Sequence, residues 1–195
     1  MNSATHPMGS NLNLPNAITL LRLLAVPGVA WLLETGRHGP AFWLFLAAAL
    51  SDGIDGYLAR RFGWLTPLGA LLDTLTDKAL GITTLLLLTW QSLIPWWVTL
   101  AIVLRDAVVV LGALAYRSLA GHLEVHPTWL GKVNTFLEFS LLCVVLAQAG
   151  LLLPLAEVAR ALFVTVFITT VGSGLHYVLV WGRRYRDERA GGHTA

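Results

Sequence analysis

Asp52-Gly53-Ile54-Asp55-Gly56-Tyr57-Leu58-Ala59-Arg60, and after eight further residues Gly69-Ala70-Leu71-Leu72-Asp73-Thr74-Leu75-Thr76-Asp77, place four carboxylates inside a mostly apolar chain. Asp52 and Asp55 are spaced i, i+3, and Asp73 and Asp77 i, i+4. If both stretches are helical, each pair shares a helix face. Apolar runs flank the acids on both sides, so the helices that hold them read as membrane spans.

Working outward, apolar segments recur near 18–33, 41–60, 67–90, 95–116, 133–153 and 158–181. Each approaches the roughly 20 residues needed to cross about 30 Å of hydrocarbon. Turn chemistry separates them at Gly36–Pro40, Gly63–Pro67, Gln91–Pro95 and Ser118–Gly131, and Pro154 precedes the last. Composition agrees. Charged residues make up 12% of the chain, against about a quarter in soluble domains, too little polar surface for a water-soluble globule. The eight tryptophans suit interfacial anchoring. The expected fold is all-α: an integral membrane bundle of six transmembrane helices forming a single domain over 1–195, with 1–11 and 183–195 as flexible tails. Asn11–Asn16 would start an N-terminal interfacial helix, with Pro15 near its beginning, and Pro27 would kink the first span.

With six spans both termini share a side. That side holds Arg22, Arg60, Arg61, Arg117, Lys132, Arg183, Arg184, Arg186 and Arg189, and the other only Arg37 and Arg160. The positive-inside rule then puts both termini, and the loops after spans two and four, in the cytoplasm, at the cytoplasmic (inner) membrane. Met1–Asn11 is polar and does not have the basic-then-apolar order of a cleaved signal. Cys143 is the only cysteine, which excludes an internal disulfide and a Cys-based metal site. A net charge of +2 does not suggest a nucleic-acid partner.

This topology brings the four acids to one depth, just below the cytoplasmic interface. An aspartate at mid-bilayer costs about 2.5–3.5 kcal/mol on insertion scales, and four like charges together cost more unless cations neutralise them. Carboxylates without a Cys or His cluster favour Mg²⁺ or Mn²⁺, and two ions about 3.5–4 Å apart would suit phosphoryl chemistry. Gly56, Ala59 and Gly69 add a floor of small residues, and Arg60 a fork for phosphate. The set describes a pyrophosphate site. Taken singly, each residue has an ordinary account in helix packing or span-end charge.

The eight positions Asp52, Asp55, Gly56, Ala59, Arg60, Gly69, Asp73 and Asp77 match the signature of the CDP-alcohol phosphatidyltransferase family, and the resemblance extends over roughly residues 12–182. It implies six transmembrane helices and transfer of a phosphatidyl group from a CDP-linked lipid, usually CDP-diacylglycerol, to an alcohol, with CMP leaving. It implies that Asp52, Asp55 and Asp73 are metal ligands, with Asp77 beside the metals and acting as the base. Asp52, Gly56, Ala59, Arg60 and Gly69 would line the cytidine nucleotide. Homodimers are common in the family.

Arg105 and Asp106 lie well inside span four, where ionisable groups point to function; the plain account is a charge pair with another helix. Arg105, with Lys132 at the start of span five, would bind the acceptor's phosphate, although a lysine at a span end also snorkels. Asn16, Thr19 and Arg22 recur at i, i+3, i+6 beside the first span, either near the site or as cap and topology residues. Glu138 lies about two turns from Lys132 and would meet the polar interior. His122, His126 and His176 receive no role. The segment Pro127–Thr135 resembles that of cardiolipin synthases of the CDP-alcohol type, which favours phosphatidylglycerol as acceptor; phosphatidylglycerophosphate synthases, which use glycerol 3-phosphate, are similar there too. A cation transporter is the competing class, since acids in helices also line ion paths, but such sites lie near the midplane of broken helices. An inactive scaffold would not need all four acids.

Overall fold

The structure, a computed structural model, describes the backbone of residues 13–62, 67–120 and 129–191, and side chains within 22–51, 75–76, 78–112 and 129–179. It is all-helical among the described residues, with α1 Asn13–Glu34, α2 His38–Phe62, α3 Pro67–Trp90, α4 Trp96–Ala120, α5 Trp129–Leu151 and α6 Ala156–Gly191. The helices fall on the six apolar segments, and their ends follow the local chemistry. α1 stops at a left-handed Gly36 (φ 72°). There the Arg37 N–H donates to the Leu32 carbonyl at 2.8 Å and the Gly36 N–H to Leu33 at 3.0 Å, the paired bonds of a glycine-capped helix end. α4 begins after Pro95, whose carbonyl accepts from the Val98 N–H at 3.1 Å.

Two expectations change. α1 runs unbroken from Asn13 through Pro15 and Pro27, so no separate interfacial helix precedes it within the described residues. Pro15 falls in the first turn, where the missing N–H has no helical partner to lose. α6 continues to Gly191, so the segment expected as a flexible tail from 183 is helical. In the sequence, opposite charges recur there at i, i+4, Arg183 with Asp187 and Arg184 with Glu188, a spacing compatible with helix.

The packing divides into two compact units, Met1–Leu88 with Leu146–Pro154, and Thr89–Val145 with Leu155–Ala195. In the first, α1 packs on α2. α1 buries Arg22, Ala25, Val29 and Leu33, and α2 buries Ala41, Phe45 and Ala48, stripes at helical spacing. Gly150 of α5 meets the start of α2 so closely that a Cβ on it would stand 2.5 Å from the Gly39 nitrogen and the His38 carbonyl carbon. Only glycine permits that backbone approach.

In the second unit α4 packs on α6. α4 buries Val98, Ile102 and Arg105, and α6 buries Val166, Thr170, Ser173 and Tyr177. Trp97 stacks edge-on against Phe167, centroids 5.1 Å apart. Large apolar side chains are exposed on several helices, Leu104, Leu111, Ile168 and Leu175 among them. Among the described residues, Trp129–Leu151 and Ala156–Leu179 are long and apolar enough to cross a membrane, and His38–Ser51 and Lys78–Trp90 are shorter apolar stretches.

Candidate active site

Both acidic stretches lie on helical backbone. α2 is helical through positions 52 to 60, and α3 through 69 to 77. The i, i+3 and i, i+4 registers of the two acid pairs therefore hold. The side chains of Asp52, Asp55, Gly56, Ala59, Arg60, Gly69, Asp73 and Asp77 lie outside the described residues. Among the described residues no group of three or more His, Cys, Asp or Glu is placed to hold a metal. The donor chemistry of the sequence is four carboxylates on two helices, a set that fits a hard divalent cation. Further along α3, Thr76 and Leu80 are buried, and one turn on the Thr84 hydroxyl donates back to the Leu80 carbonyl at 2.8 Å.

Arg105 is buried, 8% exposed, because α4 turns the face of Val98 and Ile102 inward and Arg105 lies on that face. Its Nη1 donates to the Asp106 carboxylate at 2.8 Å, an ion pair with both side chains largely shielded. Its Nη2 donates to Ser173 Oγ on α6 at 3.3 Å. The guanidinium carbon stands 5.7 Å from the Tyr177 ring centroid, within cation–π range. The carboxylate partner is thus a neighbour on α4, not a charge on another helix, and the contacts to α6 are a hydroxyl and an aromatic face. Lys132, the other expected phosphate ligand, is in the first turns of α5, exposed. The contacts that hold the Arg105 guanidinium come from α4 and α6 and do not bring Lys132 to it.

Two residues past Lys132, Asn134 is fully buried. Its amide nitrogen donates to Glu138 Oε1 at 2.6 Å. Its carbonyl oxygen accepts from the hydroxyls of Thr169 at 2.8 Å and Thr170 at 2.9 Å. This network ties α5 to α6 with polar bonds in an apolar setting. Glu138 meets polar groups, as its position predicts; the parts of Asn134, Thr169, Thr170, Ser173 and Tyr177 do not follow from the sequence reading. The available signal is the recurrence of small polar residues at 169/170 and 173, one turn apart, in an otherwise apolar α6. Of the N-terminal trio, Arg22 is buried on α1, and the side chains of Asn16 and Thr19 lie outside the described residues, as do His122 and His126. His176 is exposed.

Comparison with known proteins converges on one family. The family model for CDP-alcohol phosphatidyltransferase matches residues 12–175. The chain is 35% identical over 183 residues to a protein of Mycobacterium tuberculosis named "Probable phosphatidylglycerophosphate synthase", covering 90% of this chain and 83% of that protein. It is 37% identical over 133 residues to "Cardiolipin synthase (CMP-forming)" of Streptomyces coelicolor, covering 64% and 60%. It is 32% identical over 172 residues to "CDP-diacylglycerol--glycerol-3-phosphate 3-phosphatidyltransferase" of Escherichia coli, covering 85% and 93%.

Proposed function

The chain belongs to the CDP-alcohol phosphatidyltransferase family and is an enzyme of phospholipid biosynthesis, and from that membership we propose that it moves a phosphatidyl group from CDP-diacylglycerol to a glycerol-type alcohol bearing an anionic phosphate. The observation that supports this reading most is the complete eight-residue set from Asp52 to Asp77 on two continuous helices. Family membership together with two membrane-length apolar helices supports membrane association. The finer reading is a single membrane domain of six spans in the cytoplasmic membrane, acting as a homodimer, with both termini and the acids on the cytoplasmic side.

In this reading Asp52, Asp55, Asp73 and Asp77 would hold Mg²⁺ or Mn²⁺, two ions in all. When bound, such cations neutralise the pyrophosphate and the negative charge that develops as CMP leaves. Gly56, Ala59 and Gly69 leave room for the nucleotide, and the Arg60 fork binds its phosphate. Asp77 accepts the proton of the acceptor hydroxyl as its oxygen attacks the phosphorus beside diacylglycerol. The bond from that phosphorus to the CMP oxygen breaks, and CMP departs with the electron pair. Arg105, aided by Lys132, binds the phosphate of the acceptor.

Phosphatidylglycerol is the proposed acceptor, which makes cardiolipin the product; the Pro127–Thr135 segment and the Streptomyces coelicolor relative support it. Glycerol 3-phosphate is the second reading, favoured by the greater coverage of the Mycobacterium tuberculosis and Escherichia coli relatives. Purified protein with CDP-diacylglycerol and Mn²⁺ is given each acceptor in turn, and the lipid products are weighed by mass spectrometry. Cardiolipin from phosphatidylglycerol is the expected result, and excess chelator abolishes it. Product from glycerol 3-phosphate alone would reverse the order of acceptors. Cation uptake into proteoliposomes without CMP release would overturn the phosphatidyl-transfer mechanism.

A further inference from the structure

We propose that Ser173 and Tyr177 of α6 are positioning residues that aim the Arg105 guanidinium at a phosphate oxygen of the acceptor alcohol. The inference rests on the acceptor role of Arg105 and deepens it.

A guanidinium has five N–H donors in a fixed plane. In Arg105 the Asp106 carboxylate takes one from Nη1, and Ser173 takes one from Nη2 through a long bond of 3.3 Å. Nε is buried and has no acceptor among the described residues. A buried donor left in this way calls for an explanation. The Nε–Nη2 edge is one of the edges on which arginine binds an oxyanion through two parallel N–H bonds. Among the described residues its Nε donor has no acceptor and its Nη2 donor meets a neutral hydroxyl.

The contacts from α6 orient this plane without cancelling its charge. Ser173 and Tyr177 are spaced i, i+4, so they reach the same side of the helix, and both are buried. Ser173 offers an uncharged oxygen and Tyr177 an aromatic face at 5.7 Å, which restricts a planar cation while leaving it cationic. No acid stands on α6 between Val158 and Tyr177. Gly174 completes the cradle: a Cβ there would come to 3.6 Å from Arg105 Cγ, an ordinary contact. Asp106, next along α4, holds Nη1 at 2.8 Å. The contacts from α6 fall on the Nη2 side and on the face of the plane, so α6 helps to set the aim of the Nε–Nη2 edge.

The test is steady-state kinetics of Arg105→Lys, Ser173→Ala, Tyr177→Leu and the double variant Arg105→Lys/Ser173→Ala. Glycerol 3-phosphate and phosphatidylglycerol are each used as acceptor probe, with CDP-diacylglycerol as donor. Ser173→Ala and Tyr177→Leu are expected to raise the acceptor KM about 3- to 10-fold, the scale of one hydrogen bond or cation–π contact. The KM for CDP-diacylglycerol and the protection of the protein by CMP against heat should not move. Because Ser173 acts through Arg105, the double variant should bind acceptor no worse than Arg105→Lys alone. If Arg105→Lys raises the acceptor KM while both α6 variants stay within about twofold of wild type, the positioning role is wrong and the role of Arg105 stands. The positioning role also fails if the effects of Arg105→Lys and Ser173→Ala multiply in the double variant. An unchanged acceptor KM in Arg105→Lys would remove the acceptor role of Arg105 itself, and the proposal with it. Ser173→Ala removes a single oxygen and decides the matter should Tyr177→Leu fail to fold.

Discussion

Asp52, Asp55, Asp73 and Asp77 are legible as a group because charge in an apolar run is expensive and is kept only for a use. Each Asp→Asn variant keeps the shape and removes one negative charge. Turnover should fall by about two orders of magnitude or more in each, the usual scale for a lost metal ligand or base. Folding should survive, since less clustered charge means less repulsion; a thermal midpoint in detergent no lower than that of the wild type would register this. Near-normal rates in two or more of the four would place the chemistry elsewhere. Arg105 is legible for the same reason as the acids. Its partners on α6 are not. A serine or threonine in an apolar helix commonly bonds its own backbone, as Ser51 does to Ala47, Ser140 to Phe136 and Thr165 to Ala161. Sequence does not distinguish these from Thr170 and Ser173, whose hydroxyls turn to Asn134 and Arg105 on neighbouring helices.

At the scale of helices, apolar length and turn chemistry locate all six elements, with ends shifted by a few residues. The larger differences lie at polar ends, where the membrane pattern has no voice: α1 starts at Asn13 and α6 runs on to Gly191. The contact of α5 with α2 follows from neither pattern nor propensity. Gly150→Ala would force a methyl against the Gly39 and His38 backbone, which cannot step aside as a side chain can. It should cost roughly 1–3 kcal/mol, the range for overpacking, read as a lower thermal midpoint in detergent. Gly81→Ala in α3 serves as the contrast, because a Cβ there meets nothing within 4 Å. It should be neutral or stabilising by about 0.5–1 kcal/mol through helix propensity alone. Equal effects of the two substitutions would mean that the α5–α2 approach is not tight.

For the whole molecule, the charge asymmetry yields a topology that can be checked in cells. On a Cys143→Ser background, Trp64→Cys should be shielded from an impermeant thiol reagent added outside, and Arg37→Cys should react. Arg37 and Arg160 are both exposed, the first over the Trp31 ring at 5.5 Å and the second paired with Glu157 at 3.1 Å, positions that suit a membrane interface. Labelling at position 64 from outside would invert the arrangement and put the acids on the other face.

Sequence alone determined the helical class, the six apolar segments and the acid spacing, because each depends on local quantities: apolar length, helical period and the cost of charge in hydrocarbon. The same local quantities singled out Arg105. Tertiary structure alone decided what Arg105 touches, that Asn134 joins α5 to Thr169 and Thr170, and that Gly150 lies on the backbone of α2. Those facts depend on which faces of which helices meet. In an apolar setting nearly every face is apolar, so the pattern leaves that choice to packing.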